Sequence, residues 1–302
     1  MNILITGGLG FIGSHLAERL LNDNHHISII SKNKIIPNNL KKIESRLSIN
    51  HGDYGDKKTL ENIAINKDII IHAACTTVPE NSTHNPIYDI ESNVLPTLGL
   101  IQEAIKQGVK KFIYLSSGGV IYGNVNSEII NEYNLTQPIS SYGITKLMIE
   151  KYLYMYNKID NFNYISLRIS NAYGPEQLYK NNQGVISNWI KKAKSNLPLE
   201  IWGNEKTARD YIYIDDITEA IASSIQNNIN GEFNVGTGKG TSLIDLANII
   251  IKLTNSSSQI KINSSNSRKF DILNNILDYS KFQKKTGWYP KIYIDEGIKR
   301  CL

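Results

Sequence analysis

The sequence predicts an α/β fold, a doubly wound parallel sheet with a smaller, loop-rich α/β lobe toward the C-terminus. Three observations predict it. The first half alternates short apolar runs with longer amphipathic ones, the pattern of parallel strands joined by crossover helices. A glycine cluster separates the first such strand from the first such helix. At 302 residues, the chain exceeds the length at which a single core usually stops growing, so one large domain or two unequal ones are expected.

Taken in order, strands are expected over Asn2–Thr6, His26–Ser31, Leu47–His51, Asp68–His72, Lys111–Ser116 and Tyr164–Arg168. Helices are expected over Phe11–Asn22, Asp56–Asn66, Pro86–Gln107 and Ser140–Asn157, where apolar residues recur every three or four positions. Beyond Arg168 the pattern turns irregular, with Gly, Pro and Asn over 174–184 and Ser and Asn over 255–267. Two strand-like runs, Arg209–Ile214 and Gly231–Val235, flank a helix from about Asp215, so a return to the sheet is expected. The expected division is therefore discontinuous: residues 1–168 with a return near 206–236, against 169–205 and 237–302.

Lys plus Arg (33) against Asp plus Glu (28) leaves +5, with 41% hydrophobic and 20% charged residues, an ordinary globular composition. No basic run reaches the density of a nucleic-acid tract, so no nucleic-acid partner is expected. The small surplus suits an anionic small molecule held in a cleft. Cys75 and Cys301 are too few for a disulfide framework and lack metal-ligand spacing, which points to a reducing cytoplasm and no metal site. The sequence opens on a hydrophobic run without a basic leader, and no stretch is long and apolar enough for a membrane span, so neither secretion nor a membrane partner is expected.

In Thr6-Gly7-Gly8-Leu9-Gly10-Phe11-Ile12-Gly13, glycines 7, 10 and 13 recur every third residue. That spacing allows a tight turn, close approach of a pyrophosphate and tight helix packing, with the N–H groups around Phe11 and Ile12 facing the phosphates. An isolated run of this kind is compatible with a plain strand-to-helix turn. Inside a strand–helix–strand unit it reads as a dinucleotide-binding, or Rossmann, motif. The second strand ends Ile30-Ser31-Lys32-Asn33, without the carboxylate that would clamp the adenosine ribose of NAD. Lys32 with Ser31 suits a 2′-phosphate, so NADP(H) is favoured over NAD; a solvated Lys32 beside NAD is the alternative. Asp53, after the third strand, is a candidate acceptor for the adenine amino group.

Tyr142 and Lys146 lie four apart on one helical face. A phenol is a weak acid–base group at neutral pH, and an ammonium one turn away lowers its pKa, so Tyr142 is a candidate to exchange a proton with a hydroxyl or carbonyl. In a chain with 17 Tyr such a pair is common by chance; its position after the fifth strand makes it specific.

The segments TGGLGFIG and YGITK together resemble the extended short-chain dehydrogenase/reductase family, in its nucleotide-sugar epimerase, dehydratase and reductase branch. The resemblance spans essentially the whole chain and takes in His72-Ala73-Ala74, Asn93, LSSGGVIYG at 115–123, Arg168 to Pro175, and RDYIYIDD at 209–216. Arg268 with Asp271, LDYSK at 277–281 and GWYP at 287–290 extend it to the C-terminal part. It implies cofactor contacts from Ala73, Ala74, Asn93 and Ser116, and a substrate diphosphate held by Asn171, Arg209 and Arg268. Read alone, either Arg is a surface ion pair and Asn171 a turn residue. The family's catalytic Ser or Thr falls at Gly118, so Ser117 becomes the candidate, with Ser117, Gly118 and Tyr142 expected against the substrate. Asn275 falls at the family position associated with sugar size. A homodimer built on the Pro86–Gln107 and Ser140–Asn157 helices is implied as well.

The same resemblance discriminates among reactions. Dehydratases of the branch carry an Asp-Glu pair where this chain has Gly119 and Val120, so dehydration is disfavoured. Bifunctional epimerase-reductases carry a Cys where this chain has Val120, so epimerisation beside the ketone is disfavoured too. The expectation is an NADPH-dependent reductase of a nucleoside-diphosphate 4-keto-6-deoxyhexose, serving surface-polysaccharide synthesis. In it Tyr142 gives the proton and Lys146 holds the nicotinamide ribose. The alternative is an NAD-retaining 4-epimerase of the UDP-glucose/UDP-galactose type. A non-catalytic cofactor sensor or scaffold is a third reading, disfavoured because Tyr142 and Lys146 are both kept.

Overall fold

The computed structural model describes every residue except 126, 178–183, 206, 264–271 and 273. The strands of the first half are β1 (Asn2–Thr6), β2 (His26–Ser31), β3 (Ser48–His51), β4 (Ile69–His72), β5 (Lys111–Ser117) and β6 (Tyr164–Ile169). The second half adds β7 (Asn171–Tyr173), β8 (Leu199–Trp202), β9 (Ala208–Tyr213), β10 (Gly231–Val235), β11 (Gly240–Ser242), β12 (Ile260–Asn263) and β13 (Asn274–Asn275). Seven strands form one parallel sheet in the order β10-β6-β5-β4-β1-β2-β3. The chain runs outward through β2 and β3, then crosses back to β4 and proceeds the other way. The reversal between β1 and β4 opens a crevice at the carboxyl ends of the strands, where ligands bind in such folds.

The central strands are apolar throughout because both sheet faces are covered. Successive side chains alternate between the two faces. Ile3 and Ile5 join one core with Ile29, Ile71 and Ile113, while Leu4 joins the other with Ile30, Ile70 and Phe112. The first core runs on without a break through Trp189, Leu199 and Ile212, so the C-terminal elements share it.

Of the two strand-like runs expected to flank a return, Gly231–Val235 enters the large sheet beside β6. The other, β9, lies in a separate four-stranded sheet, paired with β7, β11 and β13. The helix between them, Ile214–Gln226, packs on Phe11–Asn22. The region expected to be loop-rich contains helices at Val185–Lys194, Leu243–Leu253, Ser280–Thr286 and Ile294–Arg300. The helix expected over Pro86–Gln107 is three pieces: an α turn at Pro86–Asp89, a π turn at Ile90–Val94 and an α-helix at Leu95–Lys106. Pro96 has no N–H to return to the preceding turn, and the wider π turn accommodates that loss. No helix among the described residues is long and apolar enough to cross a membrane.

Candidate active site

The crevice is a cavity of about 800 Å³ running from Phe11 and Ile12, past Ser117, Tyr142 and Lys146, to Asn171 and Arg209. The glycine turn closes one end. Gly7 has φ +68°, and a Cβ there would stand 2.8 Å from Ala74 Cα. A Cβ on Gly13 would overlap Gly7 O, so the helix Phe11–Asn22 can approach the turn this closely only with glycine at that position. Gly10 caps this helix, whose first turn has no acidic side chain to offset the field of its free N–H groups.

Across the crevice, the loop after β4 is held by a buried chain of bonds. Thr6 Oγ1 meets His72 Nδ1 at 2.7 Å and accepts from Ala74 N at 3.3 Å, while His72 Nε2 meets Thr97 Oγ1 at 2.9 Å. Burial, with the Lys146 charge behind it, pushes the imidazole down to about 3. His72 is therefore neutral at physiological pH. Ala73 lines the cavity. Asn93, expected to reach a cofactor, is instead used up internally. Its Oδ1 accepts from Thr76 N (2.9 Å), and its Nδ2 donates to Thr77 Oγ1 (3.0 Å) and Asp89 Oδ1 (2.9 Å).

Tyr142 and Lys146 stand on the first turns of the helix Ser141–Asp160, capped by Ser140 Oγ, which accepts from Gly143 N. The backbone N–H of Tyr142 donates to Ser82 Oγ at 3.0 Å. Lys146 is buried, donates to Leu115 O at 2.8 Å, and lies 5.6 Å from the Tyr142 ring centroid. Ser117, at the end of β5, stands beside the Tyr142 phenol on the cavity wall. The expected depression of that phenol by Lys146 does not prevail: burial raises it, the Asp89 carboxylate adds to the rise, and the neighbouring Ser117 hydroxyl opposes it.

Gly118 does not reach the crevice as expected. Its N–H donates to Ile169 O, its carbonyl accepts from Asn275 Nδ2 at 2.9 Å, and a Cβ there would overlap Leu277 Cδ1. A hydroxyl side chain has no room at 118, whereas Ser117 has one in place. Asn275, linked by resemblance to sugar size, is fully buried beneath this strand end. Ser116 Oγ, on the cavity wall, is buried without a hydrogen-bond partner among the described residues.

At the end of β2, Lys32 Nζ pairs with Asp53 Oδ2 at 2.7 Å, with side chains 54% and 44% exposed. Burial works to raise the Asp53 carboxyl, but the Lys32 bond and the Gly55 N–H outweigh it and hold the group low. Ser31 Oγ accepts from Asn33 N at 3.1 Å. The structure thus brings Lys32 and Asp53 together, each the other's partner. At the far end, Asn171 Nδ2 donates to Asp210 O, and Arg209 lines the cavity, donating to Ala208 O. Arg268 lies outside the described residues. Sequence reasoning passed over the cavity residues Trp189, Lys192 and Trp202, although Ile186, Trp189, Ile190 and Ala193 carry a helical spacing that signals their element.

A glycine turn at a sheet's switch point, facing a buried lysine and a tyrosine with a serine beside it, defines an NAD(P)-dependent enzyme of the epimerase or oxidoreductase class. Residues 3–236 match the profile of the NAD dependent epimerase/dehydratase family, and the chain belongs to that family. It is 34% identical over 301 residues to a putative UDP-glucose 4-epimerase of Methanocaldococcus jannaschii, covering 99% of this chain and 97% of that one. It is 31% identical to the dTDP-4-dehydro-6-deoxyglucose reductase of Escherichia coli, over 99% of this chain and 96% of that one. The fold is similar to the crystal structure of Thermotoga maritima UDP-glucose 4-epimerase with UDP-glucose, at TM-score 0.94 and 32% identity, covering 100% and 97% of the two chains.

Proposed function

We propose that this protein is an NAD-retaining 4-epimerase of a nucleoside-diphosphate hexose, of the UDP-glucose/UDP-galactose type. The observation that carries this over the reductase reading is the Lys32–Asp53 pair. The lysine expected to neutralise a 2′-phosphate already has a carboxylate partner, while Ser31 Oγ accepts from Asn33 N within its own turn. A 2′-phosphate at Lys32 would meet the negative charge of Asp53. The residues present fit the dinucleotide: Gly7 and Gly13 let the turn close against Ala74 and against itself so that the N–H groups of the helix start face the crevice, and Ser116 has a hydroxyl without a hydrogen-bond partner among the described residues. In this reading Gly7, Gly10, Gly13, Phe11 and Ile12 take the pyrophosphate, while Ala73 and Ala74 form the opposite wall. Residues 1–168, with the helix Ile214–Gln226 and β10 returning to them, carry the cofactor, and 169–205 with β9 and 237–302 carry the nucleotide sugar.

Bound NAD supplies a hydride acceptor, and later donor, at sugar C4. Tyr142 takes the proton from the 4-hydroxyl, and Ser117, beside the phenol, steadies the same oxygen. Lys146 provides the positive field that opposes the phenol's burial. After the 4-keto sugar presents its other face, Tyr142 returns the proton. Asn171 and Arg209, with Arg268, hold the diphosphate so that only the sugar turns.

Protein denatured after purification is expected to release NAD, and the intact protein to convert UDP-galactose into UDP-glucose without added cofactor. Tyr142→Phe is expected to lose at least a hundredfold in kcat while still retaining NAD. A protein that releases no NAD and oxidises NADPH with dTDP-4-keto-6-deoxyglucose would replace this reading with the reductase. That second reading is favoured by the lack of a ribose-clamping carboxylate at Ser31 and by the likeness to the Escherichia coli reductase. Turnover unaffected by Tyr142→Phe would exclude both.

A further inference from the structure

Asp89 is a fully buried carboxylate at the junction of the Pro86–Asp89 turn and the π turn Ile90–Val94. Its Oδ1 accepts from Thr77 Oγ1 at 2.5 Å and Asn93 Nδ2 at 2.9 Å. Its Oδ2 accepts from Ser141 Oγ at 2.7 Å and Thr145 Oγ1 at 3.1 Å. All four donors are neutral. They come from three segments: the loop after β4, the π turn, and the first turns of the helix that carries Tyr142. Burying a charge with no counter-charge costs several kcal/mol, and an apolar residue would pack there more cheaply, so stability alone does not account for this one.

Its position does. Ser141 and Thr145 stand one residue before and three after Tyr142, and Thr145 directly precedes Lys146. Thr77 and Asn93 lead to the loop whose Cys75 lines the cavity. Charge-assisted bonds are short and directional, so one carboxylate sets the distance between the crevice wall and the catalytic helix. We propose that Asp89 is a positioning residue of this active site, fixing where Tyr142 stands through Ser141 and Thr145 and acting on the phenol with its own charge. This rests on Tyr142 being the proton carrier. The groups that face the phenol are Cys75 from the loop, Asp89 from the π-turn junction, Ser117 and Tyr114 from β5, and Lys146 from its own helix. Of these, Asp89 is the carboxylate whose negative charge resists its ionisation.

Asp89→Asn keeps the size and two polar atoms and removes the charge. It is measured on whichever of UDP-galactose and dTDP-4-keto-6-deoxyglucose the wild type turns over. The expected result is a kcat at least tenfold lower, KM within about threefold, retained cofactor, and an ascending limb of the kcat profile moved to lower pH. An unchanged kcat, or a lower kcat with the limb unmoved, overturns the proposal. Ser141→Ala keeps the carboxylate and cuts one tie; it decides the matter if Asp89→Asn does not fold, with a severalfold loss of kcat at constant KM expected and a wild-type kcat overturning it. A wild type indifferent to Tyr142→Phe brings down the parent reading and this proposal together. A wild type that needs Tyr142 but tolerates both variants brings down this proposal alone.

Discussion

His72 sits between two hydroxyls, sealed from water. Its imidazole binds a proton near 6.5 when unfolded but only near 3 in the folded chain. Between those values the unfolded state holds the extra proton. Stability is therefore fully present above about pH 6.5 and is lost toward pH 3, at up to about 1.4 kcal/mol per pH unit. His72→Gln, measured by urea midpoints from pH 4 to 7, is expected to flatten that slope; a slope equal to wild type would show that other groups govern it. At this scale residue type and local spacing point to Tyr142 and Lys146, and the family resemblance points to Ser117; all three line the same cavity. The sequence did not disclose that Lys32 is paired with Asp53, that Asn93 serves the loop, or that Leu277 crowds Gly118. Those partners are brought in by tertiary packing from distant parts of the chain.

Elements were legible where one rule governs them. The buried parallel strands read as Ile- and Leu-rich runs, and each was placed to within a residue at either end. The break at Ile90–Val94 was not legible, because the apolar periodicity continues through it and only the missing Pro96 N–H forces the wider turn. The Val185–Lys194 helix was hidden by the Gly and Asn cluster before it, although its buried stripe was present. The Ser141–Asp160 helix starts at Ser140, whose side chain satisfies an otherwise orphaned N–H. Ser140→Ala is expected to cost about 1 kcal/mol in denaturant unfolding and to lower kcat more than KM, since Tyr142 lies on the first turn. A stability loss with unaltered kcat would mean that Ser82 and Asp89 suffice to hold that turn.

Over the whole molecule, the outer face of the Tyr142 helix is apolar and open. Ile87, Tyr88, Leu95, Ile144 and Tyr154 are exposed, and a shallow cavity of about 410 Å³ is lined by Ile144, Leu147, Met148 and Met155. Exposed apolar surface of this kind suits a second copy of the chain. We propose that the homodimer implied by family resemblance forms here. Ile144→Asp is expected to yield a monomer by light scattering with its cofactor retained; a dimer of wild-type affinity would place the interface elsewhere.

The late entry of β10 has a consequence for how the molecule is made. Strand β6 is complete at Ile169, but the neighbour that covers its edge begins only at Gly231. During synthesis the intervening ~60 residues, at 5–20 per second, leave that edge bare for roughly 3–12 s. An emerging chain with six strands assembled presents an unpaired, Ile- and Leu-lined border for that interval. Ribosome-bound chains halted before Gly231 would then be the form in which β6 is most open to strand-to-strand association, and those released after Val235 the first with all seven strands available.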